Sequence, residues 1–257
     1  MPHVETAEKL SKSRLKFIKS LRLKKYRLQE NAFAIEGAKN VKLLLESDYE
    51  VQLVVGTAKF LHLHRELLMH RAVKTFQVGE ELLASLGVLQ HNNAALAVAS
   101  IKPNRPITVA DGEYGLVLDD IRDPGNLGTI IRIADWYGIG AIICSTTTVE
   151  LCNPKVLHAS MGSFTKVKLY YTDLPTYLNE AQLPIIGAFT TGEDVHYASL
   201  PSEGLIVIGN ETRGISKALM PYIQQQVSIP RYGGAESLNA AIATAILCDN
   251  LRRGGPP

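Results

Sequence analysis

Three segments far apart in the chain place small and polar residues directly after apolar runs. They are DPGNLGTIIR at 123–132, GNETRG at 209–214 and IPRYGGAESLN at 229–239. The apolar runs 116–118, 205–208 and 227–229 are typical of buried parallel strands. In open α/β sheets, ligands bind in the crevice beyond the carboxyl ends of the strands. Three such strand ends therefore predict one shared site rather than three unrelated turns.

Apolar runs and helical periodicity predict two α/β domains. The predicted strands are 32–35, 51–55, 73–78, 94–99, 116–118, 141–144, 168–171, 185–189, 205–208 and 227–229. The predicted helices are 36–47, 58–69, 80–86, 127–137, 155–162, 175–181, 216–222 and 237–253. The segment KPNRP at 102–106 lacks periodicity and is predicted to be a linker. We therefore expect a small α/β domain at 1–105 and a second α/β domain at 106–257.

Composition is typical of a globular protein from a reducing compartment. No apolar run approaches the ~20 residues that span a bilayer, and the polar amino terminus lacks the apolar core of a secretory signal. Cys144, Cys152 and Cys248 lack the paired short spacing of a zinc site or a disulfide framework. We therefore expect a cytoplasmic protein with free thiols, no metal site and no membrane partner.

A basic arm, residues 9–27, carries nine Lys or Arg and no acidic residue, although the net charge of the chain is only +2. Interleaved leucines predict an amphipathic helix or helix pair. A solvated helix face, a nucleic acid partner and a membrane surface all fit such a segment, and nucleic acid is the commoner polyanion. The candidate nucleic-acid contacts are Arg14, Lys16, Arg22, Lys24, Lys25 and Arg27.

The first polar segment is in part a turn and a helix start. Proline, glycine and asparagine at 124–126 suit a turn that leads into a helix. That interpretation leaves Arg132 unexplained, because it lies among Ile131 and other isoleucines. A guanidinium there must find an anion or reach solvent. A core salt bridge and a catalytic arginine both fit.

The other two segments also have structural and functional interpretations. Glu211 either places a charge at a helix start or lines a ligand crevice and pairs with Arg132. Gly209 lets a ligand approach the backbone, and Ser237 suits a helix N-cap. Neither a phosphate-loop signature nor a dinucleotide GxGxxG motif is present, so hydrolysis of a nucleoside triphosphate and binding of NAD fit this sequence poorly.

In this order and spacing, the three segments resemble the signature motifs of the SpoU/TrmH-type RNA 2′-O-ribose methyltransferases of the SPOUT superfamily. The matching residues are Asp123, Pro124, Asn126, Gly128, Arg132 and Ala134, then Gly209, Glu211 and Gly214, then Ile229, Pro230, Gly233, Ser237, Leu238 and Asn239. The basic arm and FAIEG at 33–37 resemble the amino-terminal substrate-binding domain of many members, which is related to small ribosomal RNA-binding proteins.

The resemblance implies a carboxy-terminal parallel-sheet domain with a deep trefoil knot, S-adenosylmethionine as methyl donor and a homodimer whose site is completed across the interface. Backbone positions that match the cofactor cradle are Gly209, Ile229 and Leu238. The implied catalytic residues are Asn126, Arg132, Glu211, Ser237 and Asn239. The expected reaction is methyl transfer to a ribose 2′-hydroxyl of RNA, with ribosomal RNA preferred.

Three positions depart from the family pattern. Arg231 replaces the methionine usual after Ile229-Pro230, Ile133 stands where Thr or Ser is common, and an alanine pair at 240–241 replaces Val-Ser. None removes an implied catalytic group. A tRNA 2′-O-methyltransferase, a non-catalytic RNA-binding or ribosome-assembly protein, and a methyltransferase acting on a protein or small molecule remain alternatives.

Overall fold

A computed structural model describes residues 10–88, 92 and 94–253. In chain order, the first elements are α1 (Lys12–Ser20), α2 (Lys24–Glu30), β1 (Ala32–Glu36), α3 (Ala38–Glu46), β2 (Val51–Gly56), α4 (Ala58–Leu63), α5 (Arg65–His70), β3 (Lys74–Gln77), α6 (Glu80–Leu86) and β4 (Ala95–Ser100). The later elements are β5 (Tyr114–Leu118), α7 (Pro124–Trp136), β6 (Ala141–Ser145), α8 (Pro154–Ala159), β7 (Lys168–Thr172), α9 (Leu174–Glu180), β8 (Ile185–Phe189), β9 (Glu193–Asp194), β10 (Gly204–Ile208), β11 (Gln225–Ser228) and α10 (Ala240–Arg252), with 3-10 helices at Ser163–Thr165 and Lys217–Tyr222.

Contacts divide the described residues into two compact units. The first unit consists of the described residues within Met1–Pro103 and Cys152–Thr165. The second unit consists of the described residues within Asn104–Leu151 and Lys166–Pro257. The first unit therefore includes a segment that lies inside the predicted second domain.

The first unit is built on a mixed sheet in the order β1-β4-β2-β3. Strand β4 is antiparallel to β1 and to β2, whereas β2 and β3 are parallel. The helices of the basic arm contribute to the core of this unit, because Ile18 and Leu21 are buried in one cluster with Phe76 and Leu83. The basic arm is thus a folded part of the unit, and Ile18 and Leu21 face its core.

Segment 152–165 packs through aromatic contacts within the first unit. The ring of Phe164 meets Phe33 and Tyr49 edge-on, at centroid distances of 6.2 and 5.6 Å. Gly162 has a left-handed φ of +95°, and a Cβ there would lie 2.3 Å from Cδ1 of Leu43. Only glycine permits this turn and this close approach.

The second unit contains, within the described residues, an all-parallel sheet in the order β7-β6-β5-β10-β8-β11-β9. From β5 the chain moves outward through β6 and β7, and it later returns to place β10 on the other side of β5. The boundary between β5 and β10 is therefore the topological switch point at which α/β sheets bind ligands.

The sequence prediction differs from the structure at several elements. The predicted helix 58–69 is divided into α4 and α5 at His64. The predicted helix 216–222 is a 3-10 helix that contains Pro221, and proline removes a hydrogen-bond donor needed for an α-helix. The two-residue strand β9 was not predicted. Among the described residues, no helix has both the length and the apolarity that crossing a bilayer requires.

Candidate active site

The site forms where β5 and β10 end side by side. Leu118 and Ile208, the last residues of these two strands, are paired in register. The first polar segment follows β5, the second follows β10, and the third follows β11, which lies beyond β8 in the same sheet. The parallel sheet therefore delivers all three segments to one edge.

Asn126 is the central residue of an amide–carboxylate network with Glu211 and Asn239. Its Nδ2 donates to the carboxylate of Glu211, and its Oδ1 accepts a hydrogen bond from Asn239 Nδ2 at 2.8 Å. Asp123 fixes the start of α7 because its carboxylate accepts from the Asn126 backbone N–H at 2.8 Å. One residue from each polar segment thus meets in a single hydrogen-bonded network.

Asn239 also caps α10. Its Oδ1 accepts hydrogen bonds from the backbone N–H groups of Ala241 at 2.9 Å and Ile242 at 3.3 Å. The cap leaves the Nδ2 group for Asn126 and fixes its direction. The prediction that Ser237 is the N-cap is therefore wrong: Ser237 is exposed and bonds to no residue that the structure describes.

Arg132 lies on α7 with its side chain exposed. It is six residues beyond Asn126, about 9 Å along the helix axis. Within the described part of the chain it forms neither an ion pair nor a hydrogen bond, and Glu211 bonds to Asn126 instead. The interpretation as a core salt bridge is thus wrong, and the guanidinium reaches solvent, where it can bind an external anion.

The loops after β5 and β10 are joined by side chains that bind backbone groups. Asn210 Nδ2 donates to the carbonyl oxygen of Asp120 at 2.9 Å, and the carboxylate of Asp119 accepts from the Ser216 N–H at 2.7 Å. These bonds fix the relative position of the loops that carry Asn126 and Glu211.

Asp120 binds two arginines, one on each loop. Its Oδ1 accepts from Arg122 Nε at 2.8 Å, and its Oδ2 accepts from Arg213 Nη2 at 2.5 Å. Partial burial disfavours the charged carboxylate, but hydrogen bonds from Arg122 and Thr147 and the charges of the two arginines outweigh it and lower the pKa of Asp120. These roles were not predicted from the sequence, although Asp120 is the second residue after the apolar run 116–118.

The residues matched to the cofactor cradle lie on the loops after β10 and β11. Gly209 is required by its own loop, because a Cβ would lie 2.2 Å from the carbonyl carbon of Gly214. Ile229 is partly buried and Leu238 is 45% exposed. In the described structure, the backbone groups of residues 229–238 form no backbone–backbone hydrogen bonds. This loop therefore offers polar groups and apolar surface to a ligand.

The candidate RNA contacts of the basic arm differ in exposure. Lys16, Lys24 and Lys25 are exposed, and Arg22 is exposed while donating to the Ser85 carbonyl oxygen at 2.7 Å. Lys9 of the basic arm lies outside the described residues.

Arg14 and Arg27, two further arginines of the basic arm, also have structural contacts. The Arg14 guanidinium lies 4.8 Å from the centroid of the Phe76 ring. Arg27 is 2% exposed, and its Nη1 donates to the carbonyl oxygens of Leu21 at 2.9 Å and Arg22 at 2.8 Å. The Arg27 side chain therefore holds α1 against α2 rather than facing a partner.

Two protein families match the chain, one in each part. Residues 113–249 match the SpoU rRNA Methylase family, and residues 12–97 match the MRM3-like substrate binding domain. The three polar segments fall within the first match, and the basic arm from Lys12 onward falls within the second.

Relatives and solved structures match nearly the full length. The 23S rRNA (guanosine(2553)-2′-O)-methyltransferase RlmP of Bacillus subtilis is 29% identical over 98% of this chain and 100% of its own. The 23S rRNA (uridine(2479)-2′-O)-methyltransferase of Streptomyces viridochromogenes is 31% identical over 88% of this chain and 85% of its own. The structure of an AdoMet-bound rRNA methyltransferase from Sinorhizobium meliloti covers 97% of both chains with a TM-score of 0.86 at 26% identity. That of a TrmH-family protein from Porphyromonas gingivalis covers 96% of this chain and 100% of its own, with a TM-score of 0.83 at 36% identity.

Proposed function

The chain belongs to the SpoU rRNA methylase family, and from that premise we propose that it transfers a methyl group from S-adenosylmethionine to a ribose 2′-hydroxyl of 23S ribosomal RNA. The observation that carries this proposal is the network of Asn126, Glu211 and Asn239 at the switch point of the sheet. Two relatives that match most of the chain are 23S rRNA 2′-O-methyltransferases.

Gly209, Ile229 and Leu238 would hold the cofactor. The chemistry of this region fits it, because the backbone groups of the 229–238 loop bond to no other backbone group of the described structure and lie beside the apolar side chains of Ile229 and Leu238. When bound, S-adenosylmethionine supplies an electrophilic methyl group on a sulfonium. Arg231 is on the same loop, where its guanidinium donates to the Ala235 carbonyl oxygen at 3.4 Å.

The chain's own residues position and activate the hydroxyl. A ribose hydroxyl is a poor nucleophile until its proton is removed or strongly shared. The network fixes Asn126 and Glu211, which orient the hydroxyl, and Ser237 and Asn239 bind the ribose or its phosphate. Arginine is always protonated in proteins, so Arg132 binds the phosphate or the developing oxyanion, and a phosphate is then able to accept the proton.

A transfer assay tests the function and separates it from its alternatives. The protein is mixed with tritium-labelled S-adenosylmethionine and, separately, unmodified 23S rRNA, total tRNA or protein extract. Label that appears on 23S rRNA, is sensitive to ribonuclease and maps to a ribose 2′-oxygen supports the proposal. Label on tRNA alone or on protein alone would overturn the substrate, and RNA binding without any transfer would indicate a non-catalytic protein.

The basic arm supplies affinity for RNA through phosphate contacts. Substituting Lys16, Lys24 and Lys25 together by glutamine removes three exposed charges. Each phosphate contact contributes about 0.7 to 0.9 to the slope of log affinity against log salt. We expect the slope to fall by about two and the affinity at low salt to drop, as measured by filter binding over a salt series.

A matched variant controls for net charge. Lys39, Lys42 and Lys59 are exposed lysines of the same unit outside the basic arm. Their joint substitution by glutamine removes the same charge and is expected to leave the slope within about half a unit of the wild-type value. Equal slopes in both triple variants would place the RNA contacts elsewhere.

We also propose a homodimer, whose interface includes α7 and α10. These helices pack against each other, and each leaves a large apolar side chain exposed: Trp136 on α7 is 83% exposed and Ile242 on α10 is 51% exposed. Exposed apolar surface of this kind is typical of an interface. Because Arg132 does not reach the network within one chain, the second chain is proposed to complete the site.

Trp136→Glu is expected to convert the dimer into a monomer and to abolish methyl transfer with it. A carboxylate buried in an apolar interface without a partner is strongly unfavourable. Light scattering after size exclusion measures the mass. Met69→Glu changes a 58% exposed methionine of the first unit and is expected to leave the mass unchanged, and a dimeric Trp136→Glu protein would contradict the interface.

We further propose the trefoil knot, the domain division at 1–105 and 106–257, and a cytoplasmic location. The knot is supported by the return of α10 to α7 after β11 has entered the sheet between β8 and β9.

The division into two domains is supported by the two family matches, because the match to the substrate-binding domain ends at residue 97 and the match to the methylase family begins at residue 113. The location is supported by Cys144, Cys152 and Cys248, which are buried thiols that form no disulfide bond among the described residues.

A further inference from the structure

We propose that Arg122 and Arg213 together bind a backbone phosphate of the RNA next to the target ribose. This arginine pair is separate from Arg132 and is carried by the two loops that hold Asn126 and Glu211. The inference rests on the proposed function, which it extends by naming residues that bind the RNA backbone beside the reacting group.

The arginine pair is held in place rather than free. Asp120 is only 14% exposed at its side chain and accepts from both guanidiniums, whereas Arg122 and Arg213 are 62% and 65% exposed. Asp120 also has a left-handed φ of 60°, which is uncommon outside glycine and costs free energy. An inner carboxylate thus fixes the direction of two outward cations.

Most of the hydrogen-bonding capacity of the pair stays unused. A guanidinium has five N–H donors in a planar fork. Among the described residues, Arg122 bonds only through Nε and Arg213 only through Nη2. Asp120 neutralises one of the two positive charges, so the pair retains a net charge of about +1. Such forks suit the tetrahedral oxygens of phosphate.

A stabilising ion pair alone does not explain this arrangement. Exposed ion pairs contribute little to stability, and both arginines are mainly exposed. Arg122 is four residues before Asn126, and Arg213 is two residues after Glu211. A phosphate bound by the pair would therefore place the adjacent ribose at the network.

The test separates RNA binding from chemistry and from folding. Arg122→Gln and Arg213→Gln are each expected to raise the KM for unmodified 23S rRNA about tenfold. Each is also expected to lower the salt slope, the steepness with which log RNA affinity falls against log salt concentration, by about one. The kcat and the affinity for S-adenosylmethionine, measured by calorimetry, are expected to stay within about twofold, because a phosphate contact made in both ground and transition states affects KM alone. Arg122→Lys and Arg213→Lys keep the charge, so they are expected to keep the slope while the KM still rises.

Two further variants show whether a change in KM comes from the arginine pair or from net charge. Lys166→Gln removes a charge from a 67% exposed, ion-paired side chain of the same unit and is expected to leave the KM unchanged. Asp120→Asn adds a net positive charge but no longer holds the two arginines in place. If their fixed position matters, the KM for RNA rises, whereas if only the net charge matters, the KM falls. A lower KM in Asp120→Asn, or glutamine variants that match Lys166→Gln, would overturn the inference.

The proposed function and the inference fail in different ways. If the wild-type protein transfers no methyl group to RNA, the proposed function is wrong. If the wild-type protein is active and the arginine variants keep its KM and salt slope, only the assignment of the arginine pair is wrong.

Discussion

Arg132→Ala is expected to lower the rate of methyl transfer to RNA by at least about a hundredfold, because it removes the charge that stabilises the developing oxyanion or its phosphate. The side chain is exposed and bonds to no described residue, so its removal is expected to leave the free energy of unfolding nearly unchanged. Single-turnover transfer to 23S rRNA and thermal unfolding measure the two quantities.

The control for this variant is Arg132→Lys, which keeps the charge and loses the planar fork. We expect it to recover a minor part of the rate, since lysine binds phosphate as a point charge without bidentate geometry. The affinity for S-adenosylmethionine is expected to match the wild type in both variants. A rate near that of the wild type for Arg132→Ala would remove Arg132 from the catalytic residues.

The order of strands and helices was readable from the sequence because the second unit is a parallel sheet. Its strands are buried on both faces, so each appears as a short apolar run, such as Ile185–Phe189 or Gly204–Ile208. The limits of some elements were less accurate. Because serine is a good N-cap, the sequence predicts that the helix starts at Ser237, yet Asn239 takes the N-cap role of α10. Two good caps two residues apart cannot be ranked without the tertiary contacts that select one.

The sequence also predicted part of the site, because the residues that follow the parallel strands can be recognised, whereas the contacts between distant residues cannot. The polar segments after three predicted strands indicated one shared site, and the family resemblance implied its residues; Asn126, Glu211 and Asn239 do meet, because strand order places their segments at one edge of the sheet. The sequence could not show that Asn239 serves both the helix and the network. The binding of Arg213 to Asp120 was also missed, since the two residues are 93 positions apart in the chain. The burial of Arg27 was missed because its charge resembled that of its exposed neighbours.

The second large effect is expected for Asn239, whose two side-chain ends perform different tasks. Asn239→Asp keeps the acceptor that caps α10, and aspartate is as good an N-cap as asparagine, with a charge favoured at a helix N-terminus. A carboxylate has no N–H donor, so the bond to Asn126 Oδ1 is lost and two oxygens face each other. The amide of Asn126 then turns away from Glu211 or loses its fixed direction, which disrupts the network.

We therefore expect Asn239→Asp to leave the thermal unfolding temperature unchanged or raised while the transfer rate falls by about a hundredfold or more. Asn239→Ala removes both ends and is expected to cost about 1 kcal/mol of stability through the lost cap together with a similar loss of rate. The comparison separates the two roles because aspartate keeps the acceptor that caps α10 but replaces the Nδ2 donor by a carboxylate oxygen. If Asn239→Asp transferred methyl groups at the wild-type rate, the residue would serve only as a helix cap, and the network would consist of Asn126 and Glu211 alone.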